Sequence, residues 1–599
     1  MSAAHEPFAD PLVAFDGSPA SYLKAARSLA TTAETRKPIT VAILASFTAD
    51  VLSPYLVVEA ARRGYALKAV VAPFGQIEQQ LFDAASETYR EKPQVIVIAI
   101  RLEDAARALC DDFVRSSPAQ LAHEVDAYVA RLRRLVTSIR ERSTAHILIC
   151  NQAPLARLVA GLADASIDPS QQDVVADLNR KIADVARSSS GTYVLDIHRL
   201  SCEVGLARWI DPKLVYWARV PLSTEAQIAT AGLVARYVRA VDRPPAKCLV
   251  LDLDNTLWGG VLGEDGISGI QLGEDYPGNV FKAFQRQVRS YRDRGVLLAI
   301  ASKNNEADVR EAFASHPDLV LRLEDFAATQ IHWNDKAQSL ANIAAQLNIG
   351  TDALVFFDDN PVERAWVRER MPEVHVIEVP KDPIGYGAAL DAAGVFDALA
   401  ITDEDRGRAE LYRSDEARKT LETESTSLEA FLENLRMKVT IGAFDAATLP
   451  RITQLIGKTN QYNLTTRRHT RADLEQMMAR GGIGIWMRIE DRFGDNGLVG
   501  VAIAIPDGED YELDTFLMSC RVLGRMAETT MFSSLARRAR TRGARRMWGQ
   551  YVATKRNAPA AGFLAKHGFA KSESRPEWWT CALDQIEALP TLFELVEQS

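Results

Sequence analysis

Residues 248–266 read CLVLDLDNTLWGGVLGEDG, and this stretch decides the architecture of the chain's centre. Cys248 to Leu251 form a short, wholly apolar run of the kind found in strands buried on both faces of a parallel sheet. Asp252 and Asp254 follow one residue apart where that run ends. The carboxyl ends of such strands are where open α/β sheets place their ligands. The same logic recurs downstream. VLLAIASK carries Ser302 out of a second apolar run, where a hydroxyl can hold a phosphoryl oxygen. WNDKAQSL puts Lys336 at a helix start, where the cation and the backbone amides together neutralise phosphate. ALVFFDDNP ends in Asp358 and Asp359, hard oxygen ligands that suit magnesium. Asp252, Asp254, Asp358 and Asp359 are the expected metal-site carboxylates, and Thr256 and Asn304 are expected on the substrate.

The interval from Asp254 to Ser302 holds one loop and one amphipathic helix with Phe281, Phe284, Val288 and Tyr291 on a single face. It has no room for a large cap domain. Water must then be excluded by the substrate, by a bulky partner or by a neighbouring domain.

Upstream, the polar, proline-marked joint VDRPPAK at 241–247 sets a domain boundary. Before it, PITVAILAS, QVIVIAI, HILICN and TYVLDI alternate with helical stretches and read as a parallel α/β sheet. Downstream, residues 401–437 are charged and helical in character, a candidate linker. KVTIGAF, GIGIWMRIED, GLVGVAIAI and YELDTFLMS then read as successive strands of an α+β domain.

With 599 residues the chain exceeds one hydrophobic core and is expected to hold roughly three or four domains. A net charge of −9 argues against general nucleic-acid binding. No apolar run is long enough to span a bilayer, and the first residues lack a basic segment followed by an apolar one, so a cytoplasmic protein without membrane attachment is expected. The six cysteines form no CxxC pair, which argues against a zinc site and a disulfide framework.

The order Asp, Asp, Ser, Lys, Asp-Asp resembles the haloacid dehalogenase (HAD) superfamily. The resemblance implies that Asp252 attacks phosphorus, that Asp254 protonates the leaving group, and that Ser302, Lys336, Asp358 and Asp359 complete the site. LDLDNTLWGGVLGEDG, together with KTNQYNLTTRR from Lys458 and SCRVLGRMAE from Ser519, is similar to the FkbH-like family, HAD subfamily IIIC, over nearly the whole chain. That similarity implies a multidomain α/β protein: an SGNH-hydrolase-like domain over 1–243, a HAD-like Rossmannoid domain without a large cap over 246–400, the helical linker over 401–437 and a GNAT-like α+β domain over 438–599. The implied activity is loading of a glyceryl unit from 1,3-bisphosphoglycerate, a small phosphorylated acyl donor, onto an acyl carrier protein in polyketide-type biosynthesis. Magnesium and the partner's phosphopantetheine are the implied cofactors.

Several residues carry two readings. Arg521 and Gly524 fit the phosphate-binding turn of a GCN5-type acyltransferase, but Met526 stands where that turn wants a small residue. Ordinary acetyl transfer from CoA is therefore not expected, although a cleft shaped for pantetheine would suit the arm of a carrier protein. Cys520 is either a transient acyl carrier, activated by Arg521 and a helix N-terminus, or a small buried residue. Lys458 and Asn460 in KTNQYN either bind substrate or cap a helix and satisfy a turn. The run RRARTRGARR over 537–546 either docks an acidic carrier protein or is a solvated helix face. In the first third, Ser46 follows a strand as an SGNH nucleophile would, but no complete dyad partners it, and His198 falls inside an apparent strand. That domain is expected to be catalytically degenerate, serving as a lid, docking surface or oligomer interface. Two other functions share these features: a plain magnesium-dependent phosphatase, and a non-catalytic scaffold for carrier proteins.

Overall fold

The computed structural model describes residues 12, 15–31, 36–401, 418, 421, 427–519, 522–554, 556–586 and 593–598. The chain divides into two compact units, Met1–Asp242 and Arg243–Ser599. Most of the linker at 401–437, together with Cys520 and Arg521, lies outside the described residues.

The first unit is built on five parallel strands, β1 (Lys37–Ala45), β2 (Tyr65–Val71), β3 (Val95–Ala99), β4 (His146–Cys150) and β5 (Thr192–Leu195), in the order β2-β1-β3-β4-β5. The alternation of apolar runs and amphipathic helices dictates this arrangement, because parallel strands need helical crossovers that cover both faces. Helix α1 (Pro118–Arg142) begins at a capping box on Ser117 and buries Leu121, Val125, Leu132 and Leu135 on one stripe. TYVLDI stops being a strand at Leu195: Asp196 caps helix α2 (Ile197–Val204), so His198 is helical rather than extended. A cap forms there because the Asp196 carboxylate accepts the Arg199 amide, satisfying a donor that the helix start would leave bare. Helix α3 (Thr224–Asp242) closes the unit.

The second unit holds two sheets. The first is parallel, β10-β9-β6-β7-β8, from β6 (Cys248–Leu251), β7 (Leu297–Ser302), β8 (Phe326–Ile331), β9 (Leu354–Phe357) and β10 (His375–Val376). Every residue of β6, β7 and β9 is buried, as a run covered by helices on both faces requires. Helix α4 (Gly278–Asp293) buries Phe281, Phe284, Val288 and Tyr291, the face read from the sequence. Helices α5 (Lys336–Gln346) and α6 (Pro361–Arg370) start directly after the loops that leave β8 and β9.

The second sheet follows the order β17-β18-β16-β15-β14-β13-β11-β19. Its members are β11 (Lys438–Ala443), β12 (Tyr462–Asn463), β13 (Ile483–Asp491), β14 (Gly494–Asp507), β15 (Asp510–Met518), β16 (Arg546–Gly549), β17 (Ala570–Lys571), β18 (Trp579–Ala582) and β19 (Glu594–Glu597). Helix α7 (Ala527–Thr541) packs on it through Met531, Phe532 and Leu535. Strand β12 stands off this path and pairs with β15. Among the described residues, no helix is long and apolar enough to cross a membrane.

Candidate active site

The ends of β6, β7 and β9 and the start of α5 bring the central side chains together. Asp252, Asp358 and Asp359 each offer an oxygen, and these oxygens lie within 4.8 Å of one another. Lys336 reaches them from α5, its ammonium 2.8 Å from Asp252 Oδ1 and 3.0 Å from Asp358 Oδ2. The directed hydrogen bond of that ammonium goes instead to the Ala301 carbonyl, at 2.6 Å. Asp252 Oδ1 and Asp358 Oδ2 are thus buried without an oriented donor. Ser302 is buried at the end of β7, next to that carbonyl.

Three carboxylates against one ammonium leave the cluster short of positive charge. Burial, and then the charge of Asp252, push Asp358 up to about 7 and Asp359 up to about 6. Burial alone would favour a neutral Lys336, but Asp252 and Asp358 outweigh it and hold the ammonium above its ordinary range. Clustered hard oxygens and two buried, undirected carboxylate oxygens fit a divalent cation such as magnesium. Asp252, Asp358 and Asp359 would hold it.

Asp254, expected among the metal ligands, stands outside this set. Its carboxylate accepts the Trp258 indole at 2.9 Å, the Leu262 amide at 3.2 Å and the Asn304 side-chain amide at 3.0 Å. Three donors fix it in one orientation, outside the cluster. Burial, helped by the charge of Asp252, raises its pKa against the pull of the Leu262 and Trp258 hydrogen bonds. Such a carboxyl keeps a proton more readily than a solvated one.

Thr256 and Asn304, expected on the substrate, serve the carboxylates instead. The Thr256 hydroxyl lies 3.4 Å from Asp359 Oδ1 and accepts the Asp359 amide at 3.3 Å, while Asn304 holds Asp254. Sequence reasoning missed Arg364, buried in α6, which donates to the carbonyls of Asp358 and Asp359 at 2.8 and 2.7 Å. It also missed Tyr386, whose hydroxyl donates to the Asn255 carbonyl at 2.9 Å. Asn255 sits at φ 53°, a left-handed turn that asparagine tolerates. An arginine six residues after Asp358 was the available signal for the first; nothing near Tyr386 marks the second.

Four large apolar side chains of the central domain are exposed. Trp333 is 74% exposed, Val362 71%, Tyr276 68% and Ile384 64%. Trp333 lies between β8 and Lys336, Val362 just beyond Asp359, and Ile384 two residues from Tyr386. Between Asp254 and Ser302 the chain forms α4 and short loop elements, with no large cap inserted there.

The C-terminal sheet gives a different result. Strands β15 and β16 pair in parallel only from Tyr511/Met547 to Leu513/Gly549. Asp514 is then the extra residue of a bulge against β14, and beyond it β15 departs from β16. The fork between them is filled by the chain itself. Tyr462 and Asn463 pair with Met518 and Leu517, the Leu464 amide donates to Phe516, and the Val552 amide donates to Leu464. Asn557 pins the insert from the far side, donating to the Asn463 carbonyl at 2.9 Å. Asn463 caps the following turn through the amides of Thr465 and Thr466. The KTNQYN segment is therefore structural in its second half. Asn460 accepts from Arg468, and Lys458 ends the preceding helix. Gly524 and Met526 both take positive φ, 78° and 61°, ahead of α7. Within RRARTRGARR, Arg537 pairs with Glu597, and Arg542 donates to Gly481 and Gly482.

In the first unit the Ser46 hydroxyl donates to Asp104 at 2.7 Å and accepts the Arg101 amide at 3.0 Å, so neither partner is a histidine. The His198 amide donates to Asn151, which itself donates to Asp196.

The parallel sheet and its carboxylate cluster define a HAD-type phosphatase domain, and the chain is an enzyme of that type. Residues 40–234 match the family described as FkbH, N-terminal domain. The N-terminal part of a Bacteroides fragilis protein, containing a phosphatase domain and solved with Mg, is 28% identical, with a TM-score of 0.56, over 63% of this chain and 98% of that one. Residues 40–234 are thus similar to the FkbH N-terminal domain, and the larger part of the chain is similar to that phosphatase-containing protein. A GNAT-family acetyltransferase from Staphylococcus aureus Mu50 is 10% identical over 24% of this chain and 99% of its own, TM-score 0.20. An acetylxylan esterase from Geobacillus stearothermophilus is 13% identical over 35% and 95%, TM-score 0.22. No curated protein matches the chain.

Proposed function

We propose that this enzyme removes phosphate from 1,3-bisphosphoglycerate and loads the glyceryl unit onto the phosphopantetheine thiol of an acyl carrier protein, in polyketide-type biosynthesis. The observation that carries the phosphoryl half is the Asp252–Lys336–Asp358–Asp359 cluster beside a separately held Asp254. Asp252 attacks the phosphorus of the C3 ester, forming an aspartyl phosphate as the ester P–O bond breaks. Asp254 gives its proton to the departing oxygen and takes one from the water that later hydrolyses the aspartyl phosphate. Lys336 and Ser302 hold phosphoryl oxygens. Magnesium, when bound, would neutralise phosphoryl charge. At C1, a thiolate adds to the acyl-phosphate carbonyl and phosphate leaves, giving a thioester. Cys520 is the proposed enzyme thiol, and the carrier's thiol takes the acyl group from it.

The exposure of Trp333, Val362, Tyr276 and Ile384 on the central domain supports a bulky, protein-borne partner as the means of excluding water. The first unit is read as a degenerate SGNH-hydrolase-like domain and the C-terminal sheet as GNAT-like. The Asp252 cluster equally supports a second reading, a plain magnesium-dependent phosphatase, because it needs neither an enzyme thiol nor a carrier. Intact-protein mass spectrometry of wild type, Cys520→Ala and Asp252→Asn after incubation with magnesium and 1,3-bisphosphoglycerate, then with holo carrier protein, separates them. A glyceryl adduct absent from Cys520→Ala and passed to the carrier is expected. Asp252-dependent phosphate release with no acyl adduct leaves the phosphatase.

A further inference from the structure

On the flank of the central domain, away from the side chains that surround Asp252, four arginines line one open groove of about 470 Å³. Arg286, Arg289 and Arg292 come from successive turns of α4, and Arg322 comes from the loop that leads into β8. Like charges three residues apart on a helix repel one another. Arg292 is neutralised by Asp293 and Asp325. Arg286, Arg289 and Arg322 are exposed and have no ion pair among the described residues. This concentration of cation stands in a chain whose net charge is −9.

The groove is held in shape from beneath. Gln285, fully buried beside Arg286, accepts the amides of Val320 at 2.9 Å and Leu321 at 3.1 Å, which fixes the Arg322 loop against α4. Its own amide donates to the Leu257 carbonyl at 2.8 Å, in the loop that carries Asp254. One buried side chain therefore sets the spacing between guanidiniums from two elements and ties the groove to the catalytic loop. Guanidiniums converging from a helix and a loop onto a concavity can each offer a pair of parallel N–H donors to a phosphate group.

We propose that this groove binds a small anion carrying two or more phosphate-type charges, at a site separate from Asp252. Three exposed guanidiniums without ion pairs on one groove, held in register by Gln285, match in charge a small anion that carries two or more phosphate-type charges. The proposal is independent of the glyceryl-loading reading, since it involves none of those residues.

Isothermal titration of the full-length protein with inorganic pyrophosphate, in EDTA and at fixed ionic strength, tests it. Saturable binding is expected in the wild type and within about twofold of it in Asp252→Asn, with affinity down at least about tenfold in Arg286→Ala/Arg289→Ala. Arg289→Lys is expected to lose several-fold, because a single ammonium replaces a bidentate fork. Both arginines are exposed, and matching melting temperatures identify folded variants. No saturable binding, or equal binding by wild type and the double arginine variant, overturns the proposal. Capture of an acidic protein that needs Arg289, without pyrophosphate binding, overturns it in favour of a protein interface.

Discussion

The Asp252 site and the β15/β16 fork both bury charged side chains and finish them differently. Around Asp252, three carboxylates meet one ammonium, and two buried oxygens have no directed donor. In the fork, Asp514 takes Arg467 at 2.5 Å on one oxygen and His469 at 2.7 Å on the other, and Arg467 also holds Glu512 at 2.6 Å. Asn463 and Asn557 complete that network within the chain. A buried polar network satisfied from within acts as structure, whereas one left unbalanced is built for something that arrives later. Motif likeness drew attention to both regions; only the first keeps unspent charge.

The largest expected effect breaks the first region alone. Asp252→Asn should cut phosphate release from a generic phosphomonoester roughly ten-thousand-fold, with the melting temperature little changed. A loss below tenfold would take the nucleophile's role from Asp252. Next, saturating magnesium should raise the melting temperature by roughly 5–10 °C in wild type and by almost nothing in Asp358→Asn. An equal rise in both would place the metal elsewhere.

The fork should respond in stability. Asn557→Ala leaves the Asn463 carbonyl and the Thr554 amide without their partner and should cost about 2 kcal/mol in denaturant unfolding of this domain. Neutral behaviour would mean that the insert is held by its strand pairing alone. Asp514 gives a similar, pH-dependent effect. Burial raises its pKa, but the His469 contact and the other hydrogen bonds outweigh it and hold it at about 2. A depressed carboxylate contributes stability above its unfolded value near 4 and loses it as pH falls towards 2, so about 2 kcal/mol separating wild type from Asp514→Asn at pH 5 should shrink by pH 2. A gap that does not change with pH would remove the ion-pair account. The smallest effect tests the exposed Trp333: Trp333→Ala should leave small-phosphoester turnover unchanged and raise KM for a carrier-borne substrate by roughly threefold to tenfold.

What the sequence showed followed from local rules. Each strand end of the central sheet was legible because a short apolar run breaks on a charged or hydroxylated residue, and that break places Asp252, Ser302 and Asp358 at one edge. What each carboxylate does there was not legible, since Asp252 and Asp254 look alike in sequence and differ only in the company of Trp258, Leu262 and Asn304. The helix at His198 was hidden because Asp196 both ends an apolar run and caps the next turn. The fork was hidden for a longer-range reason: Asn463 and Asn557 meet across 94 residues, and no local pattern announces that pairing.

The central claim is that Asp252 itself carries the phosphoryl group. Rapid quench of the magnesium-loaded enzyme with a phosphoester substrate, followed by peptide mass spectrometry, tests it directly. A phosphoryl adduct on the peptide bearing Asp252, absent in Asp252→Asn and accumulating when Asp254 is replaced by asparagine, is the predicted result. Phosphate release with no adduct on that peptide at any quench time would contradict it.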